Sequence, residues 1–411
     1  MKVNFSIRLA LVCSFMLGLS GCLGDGDAHK PGSAVQEEMA APETRFAASA
    51  PAKHMVRVFY GTNRSRDQSP SGWNEFYSAS LDDLEVGICE VSIPENHEYG
   101  EVERPSIWKL EFSEDEDKHV VLQSINPHSE EGFLEELASD VQRSARREAF
   151  VFIHGYNVTF AQAARRTAQM AHDLNFDGPP VFYSWPSQGS LRGYVTDTKS
   201  ADASVRSLQQ FLEGIAGHIG ADEIHLIAHS MGNRVLTQAM DQMAEDALYR
   251  PVPKFNEILL AAPDIDAERF RTEIAPRIVD RSDRMTIYAS SNDRALMASE
   301  SLNRTRRLGQ GGDELTLFPQ LRNIDVIDAT NVEFGWFDLG HSAYGDVLLE
   351  DIRQTLDGVP APNRSLKQHS SSLAWLVPDG FGGDLVPVNH EVEADEPPVK
   401  RSLWSRIFFW W

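Results

Sequence analysis

Cysteine is nearly absent, with three residues in 411: Cys13, Cys22 and Cys89. Cations are scarce as well, 38 Lys and Arg against 61 Asp and Glu, for a formal net charge of -23 and a pI near 4.9. That balance argues against partners such as DNA, RNA or anionic lipid held by bulk electrostatics, and is mainly a statement about solubility. Beyond the N-terminus no stretch approaches the ~20 apolar residues of a membrane span. Zinc-ligand spacing, phosphate loops and dinucleotide fingerprints are missing too, so no metal and no cofactor is implied. Apolar residues are not scarce: at 42% they can fill a core, in a chain long enough for one large domain or two small ones.

The N-terminus accounts for two of the three cysteines. Lys2 and Arg8 form a positive n-region, Leu9 to Leu19 an apolar run too short for a bilayer, and Leu19-Ser20-Gly21-Cys22 a small-residue cleavage site. The last four residues resemble the bacterial lipobox, which implies a signal peptide over 1–21 and lipidation of Cys22. The alternative is an ordinary signal peptide with a coincidental cysteine. Leu23, where an aspartate would signal retention, resembles the outer-membrane-directed class. The expected location is therefore the cell envelope, lipid-anchored at the outer membrane and facing the periplasm. Only Cys89 then remains, no internal disulfide can form, and the fold must hold by its core. Residues 22–54, rich in Gly, Ala, Pro, Ser and Glu, read as a flexible tether reaching roughly 30 Å.

From Val56 the chain alternates strands and helices. Strand candidates are Val56–Tyr60, Leu84–Ile93, Val120–Ile125, Ala149–Ile153, Pro180–Trp185, Glu257–Ala262, Arg284–Ala289 and Asn323–Asp328. Helical spacing occupies Gly132–Ala145, the stretch after a Thr159/Gln162 capping box, the run Leu208–Ile219, Glu268–Ile278 and Asp346–Leu356. Such alternation predicts a mostly parallel, doubly wound α/β sheet over 55–357. After Gly358 the Pro-, Ser- and Gly-rich composition predicts a disordered tail, 358–411, ending in the basic-aromatic KRSLWSRIFFWW. That end suits a membrane-surface contact, with a partner-docking or simply sticky end as the alternative.

The organising stretch is Glu223 to Met243. Ile224, Leu226 and Ile227 form an apolar strand, Ala228-His229-Ser230-Met231-Gly232 a tight turn, and Val235, Leu236, Ala239, Met240 and Met243 one helix face. Strand, turn with serine at its apex, then helix is the context of a nucleophile elbow, here with Ala228 where glycine is more usual. A serine hydroxyl needs a base to take its proton and an acid to orient the base. Chain order in such a sheet is serine, acid, histidine. Asp293, after the strand ending at Ala289, is the preferred acid, because Asp266 is explained as a helix N-cap; Asp264 is the fallback acid. His341, in a loop before the last helix, is the expected base, whereas His369 and His390 fall in the tail. His229 and His225 read as packing residues. The oxyanion hole would use the backbone N–H of Met231 and that of Tyr156, with His154 ordering the loop.

The blocks VFYGTNR (58–64), GICEVSIP (87–94), FIHGYN (152–157), YSWPSQG (183–189), AHSMGNR (228–234), LAAPDID (260–266) and SSNDRAL (290–296) together resemble a bacterial alpha/beta-hydrolase family of unknown function, related to lipases and esterases. The resemblance implies the triad Ser230, Asp293 and His341, but no substrate. Only about 20 residues separate Asp264 from Arg284, so a small or absent lid is expected. Arg304, Arg306 and Arg307 read as a solvated helix face, or else as a receptor for an anionic substrate. The expected function is a membrane-tethered serine hydrolase acting on a small-molecule or lipid ester. Its alternatives are a lipase, thioesterase or acyltransferase on envelope lipids, and a non-catalytic lipoprotein scaffold.

Overall fold

The computed structural model describes residues 54–105, 111, 113–190, 193–311, 323–330, 345–368 and 374–378, all within the compact unit Ala50–Trp411. The signal peptide, Cys22, the tether up to residue 53, His341, His369, His390 and the aromatic end lie outside the described residues. No described helix is long and apolar enough to cross a membrane.

Among the described residues eleven strands form one sheet: β1 (His54–Arg66), β2 (Tyr77–Ile93), β3 (Val121–His128), β4 (Glu148–Ile153), β5 (Pro180–Ser184), β6 (Glu223–His229), β7 (Phe255–Ala261), β8 (Ser282–Ala289), β9 (Ile324–Asp328), β10 (Lys367–Gln368) and β11 (Trp375–Leu376). Their order is β10-β11-β9-β8-β7-β6-β4-β5-β1-β2-β3. From β1 through β5, β4, β6, β7, β8 and β9 to β11 every pairing is parallel. β2 runs antiparallel between β1 and β3, and β10 antiparallel to β11.

Strands buried on both faces must be apolar at nearly every position, and β4 shows why. Ala149, Val151 and Ile153 pack into one core, with α1 (Glu130–Arg143), α3 (Tyr194–His218) and α4 (Gly232–Asp246). Phe150 and Phe152 pack into the other, with α2 (Phe160–Asp173) and α8 (Gly345–Leu356). The sheet is therefore doubly wound, as the alternation predicts. Ser129 caps α1, and Thr159 with Gln162 forms the expected capping box on α2.

Two expectations need correction. The N-terminal strands are longer than the apolar runs suggest and form an antiparallel meander, because β1 and β2 hold a long register from His54↔Ile93 onward. The fold also does not stop at Leu356: β11 extends the sheet beside β9, with Ala361, Ala374 and Val377 buried. The 358–378 segment carries too few apolar residues to show a period. It is held instead by buried Arg364, whose guanidinium bonds Thr355 and reaches Asp351 of α8 at 3.2 Å. Between β7 and β8 the chain makes only α5 (Ala267–Arg269), a π turn at Phe270–Ile274 and α6 (Ala275–Ile278), then one 3-10 turn, so this connection holds no large lid.

Candidate active site

From β4 the chain crosses through α2 to β5 on one side, then through α3 to β6 on the other. Such a reversal of strand order opens a crevice at the carboxyl ends of the two central strands, the place where open α/β sheets bind ligands. Two loops meet there, His154-Gly155-Tyr156 after β4 and Ser230-Met231 after β6.

Ser230 has φ +49°, a left-handed conformation costly for a residue with a side chain. Tertiary bonds hold it there. Ser230 N donates to Ala261 O at 2.9 Å, and buried Asn233 donates from Nδ2 to both Ser230 O and Ala261 O at 3.0 Å. The small residues around the turn have steric reasons. A Cβ on Gly232 would sit 2.4 Å from His154 O, and one on Gly155 would sit 2.8 Å from His229 Nδ1 and 3.0 Å from Ser230 Cβ. Ala228 is fully buried between Ile153 and Leu260 on the neighbouring strands. Among the described residues, the backbone N–H groups of Tyr156 and Met231 donate to no protein acceptor.

The Tyr156 loop is fastened by a network that sequence reasoning did not assign. Arg64, wholly buried, donates from Nε to Ser184 Oγ (2.8 Å), from Nη1 to Ser187 O (3.0 Å) and from Nη2 to Val158 O (2.8 Å). Burial lowers its pKa to about 9. Asp197 of α3 accepts from Ser187 Oγ (2.6 Å), Gln188 N (2.8 Å) and Asn157 N (3.4 Å), and burial raises its carboxyl. His154 lies stacked on Trp185, its Nδ1 2.8 Å from Gly155 O and its Nε2 3.1 Å from Ser184 Oγ. Burial, then the nearby Arg64 charge, push it down to about 3, so it stays neutral and orders the loop. His229 is likewise pushed to about 3, by burial and then by Arg166, and packs against Gly155. Arg64 and Asn233 stood inside recognisable sequence blocks; only the contacts give them roles.

The two acids are held differently. Asp293 caps α7 (Arg294–Asn303), accepting from Leu296 N at 2.9 Å. Helix capping therefore does not separate it from Asp266, which caps α5 in the same way. Asp264 is buried and bonded on both oxygens, to Tyr194 Oη (2.8 Å), Ser299 Oγ (2.5 Å) and Arg307 Nε (3.1 Å). Its own N donates to Ser230 O at 3.2 Å, so it fixes the elbow through the backbone. Arg307 is thus no solvated helix face. α7 ends at Asn303, Arg304 follows with φ +60°, and the returning chain pairs Leu308 N with Ile265 O. At this rim Val195, Met297 and Leu302 expose apolar side chains; Val195 follows Tyr194 in the chain and Leu302 lies one helix turn after Ser299, and Tyr194 and Ser299 bond at 2.7 Å.

The family described as "Alpha/beta hydrolase of unknown function (DUF900)" matches residues 129–352. Among solved structures, "the putative cell surface hydrolase from Lactobacillus plantarum WCFS1" aligns over 54% of this chain and 98% of its own, at 11% identity and a TM-score of 0.33. No curated protein matches.

Proposed function

This chain belongs to the alpha/beta hydrolase family of unknown function that its residues 129–352 match, and on that premise we propose that it is a serine hydrolase cleaving carboxylic esters. The observation that carries the reading is Ser230 at φ +49° on the turn after β6, with the backbone N–H groups of Tyr156 and Met231 donating to no protein acceptor among the described residues. Ser230 Oγ attacks the ester carbonyl while His341 takes its proton. The oxyanion is bound by the N–H groups of Met231 and Tyr156. His341 then protonates the departing alcohol, and water releases the acyl group by the same steps. Asp293 orients His341, and Asp264, whose carboxylate bonds Tyr194, Ser299 and Arg307, is the fallback acid. The exposed apolar side chains of Val195, Met297 and Leu302 suit an acyl chain. A lipid on Cys22 would tether the enzyme to the envelope.

Fluorophosphonate labelling of the purified chain tests this. Wild type is expected to label, and Ser230→Ala and His341→Ala are not. Asp293→Asn should slow labelling far more than Asp264→Asn if both variants remain folded. An unlabelled, well-folded wild type would favour the scaffold reading instead.

A further inference from the structure

At the amino ends of β4 and β6, the sheet edge away from Ser230, lies a cluster that hydrolysis does not use. Glu148 and Glu223 are direct partners in the parallel register, and His225 stands two residues along β6, on the same face as Glu223. One ligand atom from each of the three lies within 4.8 Å of the other two. His225 is 1% exposed, yet neither ring nitrogen makes a hydrogen bond with a protein group, and Glu148 Oε2 is equally buried and unbonded. Native interiors seldom leave such groups without a hydrogen bond. The neighbouring carboxylate does not relieve His225: Glu257 is closed in a bidentate pair with Arg284 at 2.9 and 3.0 Å.

We propose that Glu148, Glu223 and His225 form a binding site for a divalent transition-metal cation of zinc type. His225 Nε2 lies 3.5 Å from Glu148 Oε2 and 3.6 Å from Glu223 Oε2. Ligands about 2.1 Å from a tetrahedral zinc ion are about 3.4 Å apart, so the cluster needs little rearrangement to close on one. One imidazole and two carboxylates suit such a cation, and a fourth position is left for solvent. Arg146 supplies the outer contacts, with Nη2 on Glu223 Oε2 at 2.8 Å and Nε 3.5 Å from Glu148 Oε2. Each carboxylate oxygen has a second lone pair, so Arg146 can orient the ligands while the metal binds. A cavity of about 170 Å³ bounded by Arg146, Glu148, Phe176, Leu356 and Asp357 adjoins the cluster at Glu148. The five residue steps from His225 to Ser230 span roughly 17 Å of strand, so the ion would tie β4 to β6 without touching the reacting ester.

The full chain, stripped with chelator, is titrated with Co²⁺ and Zn²⁺. Wild type should bind one equivalent, show the intense visible bands of tetrahedral cobalt, and gain thermal stability with Zn²⁺. Ser230→Ala should behave identically. Glu148→Gln and His225→Phe should lose the bands, and Glu223→Gln should weaken binding at least tenfold. Glu223 is partly exposed, so its variant keeps the test available if a buried substitution fails to fold. Wild type without a cobalt spectrum, or folded variants that bind as wild type does, would overturn the site.

Discussion

Ser230 keeps its left-handed backbone because Asn233 bridges Ser230 O and Ala261 O. Asn233→Ala leaves both carbonyls without this donor and should cost about 1–3 kcal/mol in denaturant unfolding. Because the elbow relaxes, ester kcat should fall more than KM rises. An unchanged kcat would mean that other bonds hold the turn. Gly155 is a second point of control, since an added Cβ meets His229 and Ser230. Gly155→Ala should retain its far-UV circular dichroism but react with fluorophosphonate at least tenfold more slowly, the order of effect of losing one oxyanion donor. Labelling at the wild-type rate would separate the loop from the serine.

Among the elements, the late strand β11 is the least expected, and its anchor lies outside the strand. Arg364 reaches Asp351 and Thr355 of α8, and also Asp325 of β9 at 3.4 Å. Burial raises the Asp351 carboxyl, with the Arg364 charge opposing it. Arg364→Ala removes that carboxylate's cation and leaves it the Tyr288 hydroxyl at 2.8 Å, and breaking a buried pair in this way costs about 3–5 kcal/mol. The variant should melt about 10 °C lower by calorimetry. A shift under 2 °C would show that 358–378 adds little to the fold.

Taken whole, the molecule carries buried histidines with opposed pH dependence. His154 and His229 have folded values of about 3, below the 6.5 of the ordinary group. As pH falls below 6.5 the unfolded chain takes up protons that the folded chain refuses, so stability drops. At pH 5 the loss is about 2 kcal/mol for each histidine. His97 behaves oppositely. Burial would lower it, but hydrogen bonds to Asp173 and Glu103 raise it to about 9. Its contribution is complete below pH 6.5 and is lost as pH climbs through 9. Melting temperature should therefore peak near neutrality and fall on both sides. A flat profile from pH 7 to 5 would contradict the neutral burial of His154 and His229. Envelope fractionation is the complementary measurement: Cys22→Ala should move the protein from membrane to soluble fractions.

Local pattern sufficed for much of this molecule. Apolar runs, capping signals and a small-residue turn are short-range features, so the doubly wound sheet, the Thr159 and Asp266 caps and the Ser230 elbow were legible in the chain. Distant pairing was not. Arg64 acts on a loop some ninety residues away, with |i−j| of 90 to His154, and Arg307 meets Asp264 only where the chain doubles back after α7. β11 joins the sheet by pairing with β9, without an apolar period of its own, and Arg364 ties the chain before it to α8. Glu148 and His225 stand on strands separated by two crossovers, so no spacing in the sequence could mark them as ligands. Sequence specifies which elements form because each depends on neighbours a few residues apart; the fold alone decides which polar groups share a buried space.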